Sequence, residues 1–430
     1  MAGNVIPRVK GMRDFHPEDW AFQTWLSGQL LALGSSFGYQ AFEGPMVEYQ
    51  DLYLGKSSEE IVNQQTFTVA DRDGKTLVLR PELTPTLARM VADREGQMAF
   101  PVRWQSYGRF FRYERPQRGR GRGFFQWNID LMGSESPLAD AEILTIACLS
   151  LKVLGLSPQQ ARVRVNDRQG LENLLVDVLS LAPEDVRPLF GLVDRIDKMD
   201  KDKFSEAMDQ QGLSGKQQDA LLEALEGTDT DFSPWLKEIL DTVALNGVGD
   251  YVEVDRKIVR GFDYYTRTVF EAWATTSLRR ALFGGGRYDN LTVQVGGKRQ
   301  VPGVGFALGD MAMMELLKEV DLTPDLTAVG ADILVTVFSE ETLEASVALS
   351  RALREAGVRA ELHLKPGERL DKQLKRADRT GSRFAGIIGP EELVKQVMIL
   401  KDMRSGDQET FALQDITAIT SRIMKADQEG

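Results

Sequence analysis

Apolar positions recur at helical spacing in WAFQTWLSGQLLALGSSFGY, residues 20–39, which predicts a helix ending near Gly38. GYQAFEGPMVEYQDLY follows as an extended segment containing Pro45. TFTVADRDGKTLVLRPELTPTLARMV then reads as a hairpin turning at Asp73-Gly74, a strand over TLVLR and a helix after Pro85. Residues 107–133, YGRFFRYERPQRGRGRGFFQWNIDLMG, read as two strands joined by a long loop. Side chains alternate along a strand, so Arg112 and Glu114 share a face of the first strand. On the second strand Gln126, Asn128 and Asp130 share one face, and Trp127, Ile129 and Leu131 the other. AEILTIACLSLKVLG is an apolar helical run.

Residues 170–250 are helical, acidic and poor in β-branched runs, and form a helical insertion. Strand signals return in DYVEVDRKIVRGFDYYTRTVFEAWA, followed by a glycine turn at Gly284-Gly285-Gly286 and by VPGVGFALG leading into a helix. From Ala331, strand runs (ADILVTVF, VRAELHL, RFAGIIG, KQVMILKDM) alternate with helices, which predicts a compact α/β domain with a largely parallel sheet. The expected division is a first domain over 1–325 containing the insertion and a second over 331–430, with DLTPDLTAVG (321–330) as linker.

Composition narrows the function. Hydrophobic content of 42% and charged content of 27% are those of a water-soluble globular chain. A formal charge of −12 argues against a surface that coats nucleic acid, so any RNA contact must use local patches. Residues 331–430 hold 15 Lys+Arg against 17 Asp+Glu, and residues 1–330 hold 37 against 47. Yet six arginines and one acid lie from Arg109 to Arg122, inside the more acidic part. Guanidinium matches phosphate bidentately, so phosphate is the expected target of this hairpin. The single cysteine, Cys148, excludes an internal disulfide and a cysteine-ligated zinc site, and its setting predicts a buried thiol. No apolar run approaches membrane-spanning length and no signal-peptide pattern opens the chain, which makes the cytoplasm the expected location, with no membrane contact.

Only two histidines exist, His16 and His363, and neither lies in a motif that suggests a triad or a metal site. Chemistry must therefore rest on arginines, carboxylates, amides and tyrosines, which suits charge stabilisation at a nucleotide phosphate. Mg²⁺ would accompany such a nucleotide, with its ligands unknown. In Arg80-Pro-Glu-Leu-Thr84, Glu82 and Thr84 share a parity, and an acid beside a hydroxyl suits an ammonium group. In Val259-Arg-Gly-Phe-Asp-Tyr-Tyr265, ideal pleating puts Arg260 and Tyr265 on opposite faces unless Gly261 bulges the strand.

RPELT, FRYERPQRGRGRGFFQ, VRGFDYYTRTVFE, GGGRYDNL and VGFALG stand in the order and spacing of class II histidyl-tRNA synthetases, and KGMRDFHP is similar to that family's opening segment. The resemblance covers nearly the whole chain, the insertion most weakly. It implies an α+β catalytic domain on an antiparallel sheet, a C-terminal α/β anticodon-binding domain, and a homodimer formed around Pro45. It also implies a histidine–tRNA ligase that uses ATP to convert L-histidine to histidyl-adenylate and transfers it to the 3′ end of tRNA(His). By resemblance, Arg112 holds the α-phosphate, Arg260 contacts histidine and that phosphate, and Glu114 reads the adenine side. Glu82, Thr84 and Gln126 surround the amino group, Asp130 and Tyr265 address the imidazole with Tyr264 beside them, and Arg118, Arg120 and Arg122 meet the tRNA acceptor end from a mobile loop.

Three positions depart from the family pattern. Leu83 stands where many members have glycine, and Asp130 where the imidazole-facing acid is usually glutamate. Most consequentially, the third class II motif, Gly-x-Glu-Arg, is replaced by Gly309-Asp310-Met311-Ala312, so the arginine that clamps the distal phosphates is missing. Arg120, Arg122 or Arg287, or Mg²⁺, is the expected substitute. A non-catalytic, histidine-sensing regulatory subunit of ATP phosphoribosyltransferase is the alternative, disfavoured by the C-terminal domain and the complete arginine loop.

Overall fold

A computed structural model describes residues 5–56, 64–196, 199–259, 264–278, 280–324, 326 and 330–428. The chain divides into two compact units, one holding most residues up to Thr323 and the other holding Pro324 onward together with Phe15–Phe22. The linker expected at 321–330 lies partly outside the described residues.

The strands of the first unit are β1 (Gln40–Ala41), β2 (Val47–Tyr49), β3 (Phe67–Ala70), β4 (Thr76–Leu79), β5 (Val102–Phe111), β6 (Gly123–Met132), β7 (Ala161–Asp167), β8 (Val252–Val254), β9 (Thr268–Ala274), β10 (Ala281–Tyr288) and β11 (Gly303–Gly309). Eight of them form one sheet in the order β1-β5-β6-β11-β10-β9-β7-β8. The five central pairings are antiparallel, and only the edges β1–β5 and β7–β8 are parallel. The expected hairpin at Asp73-Gly74 joins β3 to β4, with Gly74 at φ +80° supplying the left-handed turn residue.

Alternation along β6 does what the sequence predicts. Trp127, Ile129 and Leu131 turn into the core, where the Trp127 indole donates to Gln105 Oε1 at 3.1 Å. The helix Pro137–Val153 packs against β6, β7 and β11 and buries Ile143, Leu144, Ile146, Cys148 and Leu151. It starts at Ser136, whose hydroxyl accepts from Leu138 N, with Pro137 in the first turn, where a missing N–H costs nothing. Cys148 is a buried free thiol, as its sequence setting predicts.

The triple glycine is not a turn. Gly284, Gly285 and Gly286 lie inside β10, because the sheet needs their missing side chains: a Cβ at Gly286 would come within 2.8 Å of the Tyr265 ring. The helical segment contains the helices Arg168–Leu179, Pro183–Val193, Lys201–Gln210, Gly215–Glu226 and Pro234–Leu245 among the described residues. Leu171, Leu175, Val186, Leu189, Phe204, Leu221 and Leu225 give it a core of its own.

The second unit carries β12 (Ile333–Val335), β13 (Ala360–Leu362), β14 (Phe384–Ile387), β15 (Val397–Asp402) and β16 (Gln408–Ala412), in the order β13-β12-β14-β15-β16. Its sheet is half parallel rather than largely so: β12 pairs parallel with β13 and β14, while β14–β15 and β15–β16 are antiparallel. Only the short helix Pro390–Val394 separates β14 from β15, too little chain for a parallel crossover. His363, just past β13, is buried with its Nε2 at 3.0 Å from Glu368, a structural contact. Among the described residues no helix is long and apolar enough to cross a membrane.

Candidate active site

The central strands floor a cavity of about 300 Å³. Glu82, Thr84, Arg112, Glu114, Arg120, Gln126, Asp130, Tyr264 and Tyr265 all line it, although they come from five separate stretches of chain. Arg118 and Arg122 stand in the loop outside the lining, and Arg260 lies outside the described residues. Tyr264 and Tyr265 precede β9 rather than sitting in a pleated strand, which is how two consecutive side chains reach one cavity.

One end of the cavity is built on Asp130. Across the sheet Asp130 faces Gly305, and Gly305 faces Gly286. A Cβ at Gly303 would lie 2.8 Å from Tyr288 Cζ, and one at Gly305 would strike Asp130 itself. The two glycines therefore open a passage through which Tyr288 Oη donates to Asp130 Oδ1 at 2.5 Å. Burial pushes the Asp130 carboxyl up to about 7, partly offset by that hydrogen bond. Burial and the neighbouring carboxylate raise the Tyr288 phenol, which keeps it a donor. Tyr264 packs edge-on against Tyr265 and Tyr288 at 4.7 and 6.0 Å between ring centroids, and its hydroxyl donates to Glu82 Oε2 at 3.1 Å. A polar ring with donor and acceptor atoms fits Asp130, and a primary ammonium fits Glu82.

At the other end, β5 stops at Phe111, so Arg112 and Glu114 stand on extended chain beyond it. Arg112 donates from Nε to Pro81 O at 3.0 Å and packs over Phe124. Burial lowers its tendency to stay charged, while Glu82 and Glu114 act in the opposite sense. The loop is pinned by its own backbone: Gln117 and Arg120 exchange hydrogen bonds at 2.9 and 3.0 Å, and Arg112 N donates to Arg122 O at 3.0 Å. Its arginines are held by carboxylates, Arg120 by Glu114 at 2.7 Å and Arg118 by Glu315 and Glu319 at 2.8 and 3.0 Å. Arg122 lies 3.8 Å above the Tyr113 ring and donates to Glu114 O.

Arg287 is not a phosphate ligand. It is 2% exposed, and its guanidinium is consumed by Asp140, Asp289 and the carbonyls of Ser134 and Ser136, which fasten β10 to the helix Pro137–Val153. Asp310 is also fully engaged, accepting from Arg13 at 2.6 Å, Gln23 at 2.7 Å and Phe125 N at 3.0 Å. Ala312 lines the cavity two residues later.

A family model described as Histidyl-tRNA synthetase matches residues 11–313, and one described as Anticodon binding domain matches residues 332–422. The chain belongs to the histidyl-tRNA synthetase family. It is similar to the histidine–tRNA ligase of Leptospira biflexa (32% identical over 418 residues, 94% of this chain and 95% of the relative). It is similar also to that of Thermoplasma volcanium (35% over 429 residues, 96% and 97%). The crystal structure of histidyl-tRNA synthetase from a Nostoc species shares its fold, with a TM-score of 0.81 at 22% identity over 98% of this chain and 100% of that one. The α+β catalytic domain and C-terminal α/β domain expected from the sequence agree with these matches.

Sequence reasoning missed three residues that line this cavity. Tyr288 was inside a quoted motif, but its link to Asp130 exists only through the sheet register. Asp310 occupied a motif read for what it lacked. Arg280 lines the cavity immediately before β10; the paired arginines Arg279-Arg280 in an acidic chain were the available signal.

Asp130 gives a pH test. Its native pKa, about 7, lies above the ordinary aspartate value of 3.8, so the native state keeps a proton that the unfolded chain releases between those values. Its contribution to stability is present below pH 3.8 and lost as pH rises through about 7. Asp130→Asn should remove that loss and gain stability relative to wild type between pH 5 and pH 8, on the order of a few kcal/mol. Urea unfolding of the ligand-free protein at the two pH values checks it, and an equal difference at both would refute the assignment.

Proposed function

We propose that this cavity joins histidine to ATP and then passes the histidyl group to the 3′ end of tRNA(His), the reaction of a histidine–tRNA ligase. The observation that carries the reading is the convergence of an ammonium acceptor (Glu82), an imidazole partner (Asp130 with Tyr288) and a buried arginine (Arg112) in one cavity. A histidine carboxylate oxygen bonds to the α-phosphorus of ATP, the bond to the bridging oxygen breaks, and pyrophosphate leaves. A ribose hydroxyl of tRNA then bonds to the carbonyl carbon, releasing AMP and a proton.

The proposed roles follow the geometry. Arg112, with Arg260 by resemblance, neutralises charge at the α-phosphate. Glu82, Thr84 and Gln126 surround the amino group, Asp130, Tyr264 and Tyr265 select the ring, and Glu114 serves the adenine side. Mg²⁺ enters with the nucleotide. Among the described residues no three His, Cys, Asp or Glu side chains cluster as a metal site, and a metal carried on substrate phosphates needs only one or two protein carboxylates. The cytoplasm is the proposed location. No observation favours the regulatory-subunit alternative: the Leptospira and Thermoplasma relatives are named as ligases and span nearly the whole chain.

Histidine-dependent ATP–pyrophosphate exchange tests the reading, and wild type should be active. Arg112→Ala should lower the rate by roughly 10²–10³, while histidine-free unfolding changes little. Near-normal exchange would remove Arg112 from the chemistry.

The exposed Arg118 would meet the tRNA acceptor end by exchanging Glu315 and Glu319 for phosphates. Arg118→Ala should leave exchange largely intact, slow transfer to tRNA, and flatten the salt dependence of tRNA binding. Equal loss of both steps would place it on ATP.

A homodimer through the segment around Pro45 is the proposed assembly. Val47 and Tyr49 on β2, with Met46 just before it and Val69 on β3 at the opposite edge, leave large apolar side chains exposed on the small sheet β2-β4-β3. Light scattering at micromolar concentration should give twice the 48.0 kDa chain mass, and the single-chain value would refute it.

A further inference from the structure

Three cations line the cavity among the described residues: Arg112, Arg120 and Arg280. A nucleoside triphosphate brings more negative charge than Arg112 can neutralise, and that charge moves onto the leaving pyrophosphate as the α–β bond breaks. Arg112 sits among Glu82, Glu114 and Tyr264. Arg120 is committed to Glu114.

Arg280 differs from both. A methyl group placed at Gly119 would lie 3.6 Å from Arg280 Cδ and 3.5 Å from Ala312 Cα, so the Arg280 stem and the Ala312 backbone flank the same point beneath the arginine loop. Gly119 stands there at φ +69°, a conformation that lets the loop close over them. Arg280 therefore delivers a guanidinium to the end of the cavity where residue 312 carries only a methyl group. Burial and the like charge of Arg120 disfavour its charged form, and Glu114 favours it. Two guanidinium groups gathered around one carboxylate leave an excess positive charge that an incoming anion would satisfy.

We infer that Arg280 binds the phosphates beyond the α-phosphate and neutralises the departing pyrophosphate, replacing a cation at position 312 by one delivered from the start of β10. The step keeps the balance given above: the carboxylate–phosphorus bond forms, the bond from the α-phosphorus to the bridging oxygen breaks, and Arg280 holds the oxygen anions without exchanging a proton. This rests on the adenylate-forming reading of the site.

Two measurements on full-length wild type, Arg280→Ala and Arg280→Lys separate the possibilities. The first is histidine-dependent exchange, with KM values for ATP, pyrophosphate and histidine. The second is calorimetric binding of ATP, AMP and histidine. Arg280→Ala should raise KM for ATP and pyrophosphate about 10- to 100-fold, leave histidine and AMP binding unchanged, and be partly rescued by lysine. An unchanged KM for ATP, or equal weakening of ATP and AMP, would overturn the assignment. Absence of exchange in wild type would instead defeat the ligase reading. In that case a preserved ATP-to-AMP affinity ratio in Arg280→Ala overturns this inference, and a reduced ratio supports it.

Discussion

The site depends on one row of residues across the sheet. Asp130 on β6 faces Gly305 on β11, which faces Gly286 on β10. Gly303 and Gly305 on β11 let Tyr288 reach across the sheet face and bond Asp130, and Gly286 on β10 lets Tyr265 lie against that same face. A carboxyl group buried this deeply is costly without a donor, and Tyr288 supplies one. The same row excludes bulk where a ligand ring must fit, so stability of the floor and shape of the pocket have a single origin.

Charge is arranged for exchange of partners. In a chain of formal charge −12, the arginines around the cavity are matched by carboxylates: Arg118 by Glu315 and Glu319, Arg120 by Glu114. The exposed Arg118 pairs contribute little to stability, so giving them up for phosphate costs little, whereas the buried Glu114 side chain keeps Arg120. The buried pair Arg287–Asp140 is the opposite case. Its partners are surrounded by further carbonyls and a second carboxylate, and it serves as a fastening between β10 and the helix behind it.

The segment from Gly309 to Ala312 shows both effects. Asp310, at the start of the helix Asp310–Glu319, collects Arg13, Gln23 and the backbone of Phe125 into one buried node, which ties the N-terminal segment to β6. Ala312 leaves room that Gly119 and the Arg280 stem occupy. Ala312 on one element and the Arg280 stem before another meet beneath Gly119, an arrangement that motif spacing along the chain does not express.

Local pattern determined much of this protein. Period-two alternation fixed the two faces of β6, helical spacing fixed Pro17–Ser36 and Pro137–Val153, and Asp73-Gly74 fixed a hairpin, because each follows from neighbours a few residues apart. The arginine hairpin and the RPELT segment marked the chemistry, since guanidinium and carboxylate groups at high local density have few other uses. Tertiary structure decided the rest. It placed the triple glycine inside a strand rather than a turn, because the reason for those glycines is the residues packed on them. It made Arg287, inside β10, a buried fastening and Arg280, immediately before the same strand, a cavity cation. It turned the last strands of the second sheet antiparallel through the shortness of one connection. Each of these depends on which residues meet across strands, and that pairing is set by the folded register, not by the order of residues along the chain.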